Sequence, residues 1–129
     1  MVLPEAHKDK AETLLRDFVN EKIELTAPDL LTAEVGNLLW KRSSKLKDIS
    51  PAQASRIYRT FLALRLPLRS SPTIATAALK LATEKNHPIY DMLYIALAEE
   101  SACKFITADE TLIRKFGSTF ACLLWLGDV

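Results

Sequence analysis

Residues 92–98, MLYIALA, are apolar around every face of a helix. Such a helix is stable in water only when it is covered on all sides. The rest of the chain must therefore supply layers that enclose it. At 129 residues and 49% hydrophobic content, the chain has enough apolar mass for one core, and we expect a single domain over residues 1–129. The helical spacing of Ala11, Leu14, Leu15, Phe18 and Val19 predicts an amphipathic first helix starting at Pro4. IELTAP is a strand candidate, and PDLLTAEVGNLLWKRSSKLK and SPAQASRIYRTFLAL are helices, the latter with Ser50 as N-cap and Pro51 as its first residue. LPLRSS is a strand or extended loop, followed by a helix over SPTIATAALKLATEKN with the same Ser-Pro start. After the apolar helix come the strand KFIT, a short helix ADETLIRKF and the strand TFACLLWL. Strands alternating with helices predict an α/β fold with a central parallel sheet flanked by helices.

Charge and cysteine content narrow the function classes. The formal net charge is +1, so any contact with nucleic acid must come from a local patch. Cys103 and Cys122 have neither metal-ligand nor disulfide-framework spacing, and are expected as small buried thiols in a reducing compartment. His7 and His87 have no partner spacing for a ligand role and read as surface residues. No apolar stretch is long enough to span a membrane, and MVLPEAHKDK lacks the apolar core of a signal peptide. The expected location is the cytoplasm.

Three carboxylates carry the chemistry. On a helical wheel Glu34 falls within the arc defined by Leu30, Leu31, Val35 and Leu38, and a Glu facing a core needs a partner or a cation. Asp91 heads the apolar helix, aligned with Ile95, Ala98 and Ala102; a first-turn Asp also serves as a cap. Asp109 directly follows the strand KFIT, where open parallel sheets bind ligands. A capping box between Thr107 and Glu110 is the alternative there. Carboxylates converging at one sheet end repel one another, and a hard divalent cation, Mg²⁺ or Mn²⁺, relieves that cost and supports phosphodiester hydrolysis. Lys41, Arg42 and Lys45, beyond Glu34, are phosphate contacts on this reading and a solvated helix end on the other. Arg56, Arg59, Arg65 and Arg69 form a second basic group, and Trp40 is either a stacking platform or an interface residue.

The segments PDLLTAEVGNLLWKR, HPIYDMLYIALAEE and FITADETLIRKF, in this order and at these separations, resemble the PIN domain, and within it the small VapC-type toxins. The resemblance runs over the whole chain. It implies a PIN-like three-layer fold and a Mg²⁺- or Mn²⁺-dependent endoribonuclease, the toxin of a type II toxin–antitoxin pair. It also implies a homodimer, RNA as substrate and a cognate antitoxin as partner. By position, Glu34, Asp91 and Asp109 match the family's second, third and fourth acidic residues, and Thr107 the hydroxyl residue beside the last. The family pattern opens with a strand ending in Asp, and MVLPEAHKDKAETLL resembles the helix entry that comes after that strand. The central first strand and its acidic residue are therefore expected to be missing, leaving the domain N-terminally incomplete. The alternative function is a catalytically impaired PIN-like module that binds a protein partner or RNA without cleavage. A receiver-like or nucleotide-binding domain is disfavoured, because the chain has no Gly-rich phosphate loop.

Overall fold

The computed structural model describes residues 5–129, with side chains from His7 onward; the expected start at Pro4 lies outside the described residues. Among the described residues, six α-helices and four short strands form an α/β fold in which small parallel sheets are flanked by helices. Among the described residues the strands make two parallel pairs. The described chain divides into two compact units, Met1–Glu24 with Pro72–Val129, and Leu25–Ser71.

The first unit encloses the apolar helix. Helix α1 (Glu5–Val19) packs on the final 3₁₀ turn, Leu126–Asp128. There Lys10 donates to the Gly127 carbonyl, and the His7 ring meets Trp125 edge-on at 5.1 Å. Among the remaining helices, α4 (Ala75–Lys85) and α5 (Ile89–Ser101) form the principal packing pair. Met92, Leu93, Ile95, Ala96, Leu97 and Ala98 are buried, as are Ile74 and Ala78 at the start of α4, which satisfies the enclosure that MLYIALA demands. Both helices end on a left-handed residue, Asn86 and Ala102, whose amides bond back into the last turn. Strand β3 (Phe105–Thr107) pairs in parallel with β4 (Leu123–Trp125), Ile106 opposite Leu124. Helix α6 (Glu110–Phe116) buries Leu112 and Phe116.

The second unit is held by β1 (Ala27–Pro28) paired in parallel with β2 (Leu68–Arg69). The amides on either side of Pro28, of Ala27 and Asp29, donate to the Pro67 and Arg69 carbonyls at 3.3 and 2.8 Å, so proline, which has no N–H, sits where this ladder needs no donor. Helix α2 (Leu30–Trp40) runs into a widened π-helical turn, Lys41–Lys45, and α3 (Pro51–Ala63) packs back on both. Ser50 caps α3 as expected, and Gln53 returns the bond to complete a capping box. Tyr58 anchors α3 on α2 through a 2.6 Å bond from its hydroxyl to the Thr32 carbonyl.

Two expectations need correction. The second Ser-Pro start, Ser71–Pro72, makes a 3₁₀ turn, Ser71–Thr73, and α4 begins only at Ala75. Cys103 is exposed, while Cys122 is half-buried. Burial, reinforced by Glu99, pushes the Cys122 thiol above its ordinary pKa, which lowers its thiolate fraction. Limiting iodoacetamide at pH 8 is therefore expected to label Cys103 well before Cys122, read by peptide mass mapping.

Candidate functional site

Pro88 occupies the N-cap of α5 in extended conformation and offers no side-chain cap. Asp91 lies in the first turn of that helix. Its Oδ2 lies 2.9 Å from His87 Nε2, one helical turn earlier, and His87 Nδ1 lies 3.1 Å from Lys115 Nζ. An ammonium group only donates, so Nδ1 accepts from Lys115, and Nε2 carries the hydrogen donated to Asp91. Phe116 meets the imidazole edge-on at 5.1 Å. A Lys115–His87–Asp91 chain thus ties the start of α5 to the end of α6. The surface reading of His87 is corrected by this arrangement: its side chain is only 15% exposed, against 40% for Asp91. His87 and Lys115 were missed in the sequence, although the i,i+4 spacing of His87 and Asp91 is a signal for a side-chain pair.

Asp109 follows β3 and is itself the N-cap of α6, its Oδ1 accepting from the amides of Thr111 at 2.9 Å and Leu112 at 3.2 Å. Thr107 Oγ1 accepts from the Asp109 amide at 3.1 Å. Thr107 and Asp109 are therefore in contact, and the cap of α6 is Asp109 and not a Thr107–Glu110 box. Removing this cap in Asp109→Ala is expected to lower stability by about 1 kcal/mol, while Asp109→Asn, also a good N-cap, leaves it nearly unchanged; urea unfolding of the pair checks this.

Glu34 sits on α2 in the second unit and is exposed. The buried arc expected around it is displaced: Leu39 is the buried residue, and Leu38 is 40% exposed. Lys41, Arg42 and Lys45 share the π-helical turn. Arg42 is held by Asp48 in a two-point contact of 2.9 and 3.0 Å. The guanidinium holds the Asp48 carboxyl below its usual range. A depressed folded-state value stabilises above the unfolded carboxylate range and loses that contribution as pH falls through the folded one.

A Mg²⁺-type ion needs several convergent oxygens. Asp91 Oδ2 faces an imidazole and Asp109 Oδ1 faces two backbone amides. Among the described residues no three His, Cys, Asp or Glu side chains form a group that could hold a metal ion. The described side chains do not fit a preformed three-ligand metal centre.

The PIN domain family model matches residues 2–117. This chain belongs to the PIN domain family. It is also 30% identical over 119 residues to Ribonuclease VapC3 of Pyrobaculum aerophilum, covering 90% of this chain and 86% of the relative. The chain is thus a PIN-domain member related to VapC-type ribonucleases. Among the described residues, no helix of this PIN-domain chain is long and apolar enough to cross a membrane.

Proposed function

We propose that this chain acts as a PIN-family module that binds RNA or a protein partner without cleaving RNA. The observation that carries this reading is the employment of its carboxylates. Asp91 closes the Lys115–His87 chain and Asp109 caps α6, and no metal-holding group forms among the described residues. Asp109 gives its Oδ1 to the Thr111 and Leu112 amides and Asp91 its Oδ2 to His87, so a cation at either carboxylate would share it with a protein partner.

A second reading is supported by the similarity to Ribonuclease VapC3. In it the chain is a Mg²⁺- or Mn²⁺-dependent endoribonuclease, the toxin of a type II pair, working as a homodimer in the cytoplasm and neutralised by a cognate antitoxin. Glu34, Asp91 and Asp109 would hold the cation, Thr107 would support Asp109, and Lys41, Arg42 and Lys45 would contact phosphates. A cleavage assay separates the two. With a labelled RNA and Mn²⁺, the chain and its Asp91→Asn variant are expected to leave the RNA equally intact. Mn²⁺-dependent cleavage that Asp91→Asn abolishes overturns the proposal in favour of the ribonuclease.

A further inference from the structure

The chain has two cysteines, and the parallel pairing of β3 with β4 draws both to the same end of that pair. Phe105 lies opposite Leu123, and the Phe105 amide donates to the carbonyl of Cys122 itself at 2.8 Å. One residue earlier, Lys104 Nζ reaches the Ala121 carbonyl at 2.9 Å. The two segments therefore run side by side before either strand begins. Continued backward, the register sets Cys103 one step from Cys122, with Cα atoms roughly 6 Å apart for strands spaced by about 4.8 Å. A disulfide bridges Cα atoms about 4.4–6.8 Å apart.

Strand alternation would send side chains one step out of register to opposite faces, but neither cysteine lies in a strand. Cys103 follows the left-handed Ala102, and its amide bonds to the Ala98 carbonyl at 3.0 Å. Cys122 lies in the turn that the Leu123 amide closes on the Phe120 carbonyl at 3.1 Å. Burial and Glu99 push the Cys122 thiol up, and Cys103 adds to the effect. The two sulfurs are therefore within electrostatic range of each other. A raised pKa lowers the thiolate fraction, and Cys122 is half-buried while Cys103 is exposed. Cys103 is thus the sulfur that an oxidant meets first.

We propose that Cys103 and Cys122 form an oxidisable pair, a modification site for peroxides at the entry to β3 and β4. The Cys103 thiolate attacks a peroxide oxygen. An S–O bond forms, the O–O bond breaks, and the departing oxygen takes a proton to leave as water or an alcohol. The Cys122 sulfur then attacks the Cys103 sulfenic acid. An S–S bond forms, the S–O bond breaks, and the hydroxyl leaves with the Cys122 proton as water. The two thiols together give up two electrons, which the peroxide accepts. The bond closes residues 104–121 into a loop holding β3, Asp109 and α6, and such closure restrains the unfolded chain. Exposed on its Cys103 side, the disulfide is open to thiol reductants, which restore the pair. None of the acidic residues takes part, so the pair operates under either reading of function.

The test treats the full chain, dilute and folded, with one equivalent of hydrogen peroxide. N-ethylmaleimide then blocks the remaining thiols, and intact mass and peptide mapping read the product. The expected product is a monomer lighter by two hydrogens, its Cys103 and Cys122 peptides joined and carrying no maleimide. Cys122→Ser is expected to stop at a Cys103 sulfenic acid that dimedone traps, and Cys103→Ser to leave Cys122 reduced. Phenylarsine oxide, which needs two thiols within reach of one arsenic, is expected to shield both cysteines of the folded wild type, a readout that requires no variant. Maleimide on both cysteines after peroxide overturns the pair. So does a Cys103–Cys103 dimer, or a bond that forms only when the same treatment is made in urea.

Discussion

Ile95→Ala is expected to lower the stability of the chain by about 2–5 kcal/mol, the range for truncating a fully buried aliphatic side chain. Ile95 is 0% exposed, and Met92 and Ala78 are equally enclosed. The cost combines the lost burial of the removed carbons with the void they leave, and the void dominates where neighbours cannot collapse into it. Helix α5 is buried at six of its thirteen positions, so few neighbours are free to move in. Ile95→Val removes a single methyl and is expected to cost about 0.5–1.5 kcal/mol. Urea unfolding followed by Trp fluorescence provides the measurement. A loss below about 1 kcal/mol in the alanine variant would show that α5 is not an enclosed centre.

Gly117→Ala is expected to destabilise by about 1–3 kcal/mol, as overpacked sites do. Gly117 ends α6, and its amide donates to the Ile113 carbonyl at 2.7 Å. A Cβ built there would lie 2.5 Å from that same backbone oxygen. Backbone cannot swing aside as a side-chain tip does, so relief requires unwinding the turn that carries Lys115 and Phe116. The same displacement would loosen the contact of Lys115 with His87. A ¹⁵N–¹H spectrum of the variant is therefore expected to show shifts at His87 and Asp91 in addition to those around residue 117. Shifts confined to residues 113–121 would contradict the link between α5 and α6.

Sequence patterns of apolar residues carried most of the fold, because burial is decided by side-chain type at helical spacing. The Ser-Pro starts show where such reasoning stops. SPAQ and SPTI look alike, yet only the first supplies a Gln at the third helical position to complete the capping box. The second supplies Ile74, which is 2% exposed, and the Ser71 hydroxyl turns to Asp29. Burial of Ile74 then fixes the start of α4, and a contact 42 residues distant is not visible in a local motif. The buried arc drawn around Glu34 is displaced for a related reason. The wheel assumed that α2 buries the side bearing Leu38, whereas its anchors are Leu39 and the Thr32 carbonyl held by Tyr58.

The family was legible in the sequence motifs, and the family match agrees with that reading. The partners of the acidic residues were not legible. Asp109 shows its role within four residues of chain, so a cap was foreseeable there even though Thr107 was assigned to it. Asp91 depends on His87, one turn away, and on Lys115, which only folding brings near. A carboxylate read from sequence alone gives a charge and an address, and its neighbours decide what the charge does.

Whether Asp91 and Asp109 are committed to their protein partners or free for a cation is asked most directly by calorimetric titration of Mn²⁺ into the full chain. The expected result is the heat of dilution alone, identical for the wild type and Asp91→Asn. A saturable heat from one site per chain, lost in Asp91→Asn, would contradict that commitment and return these carboxylates to a metal centre.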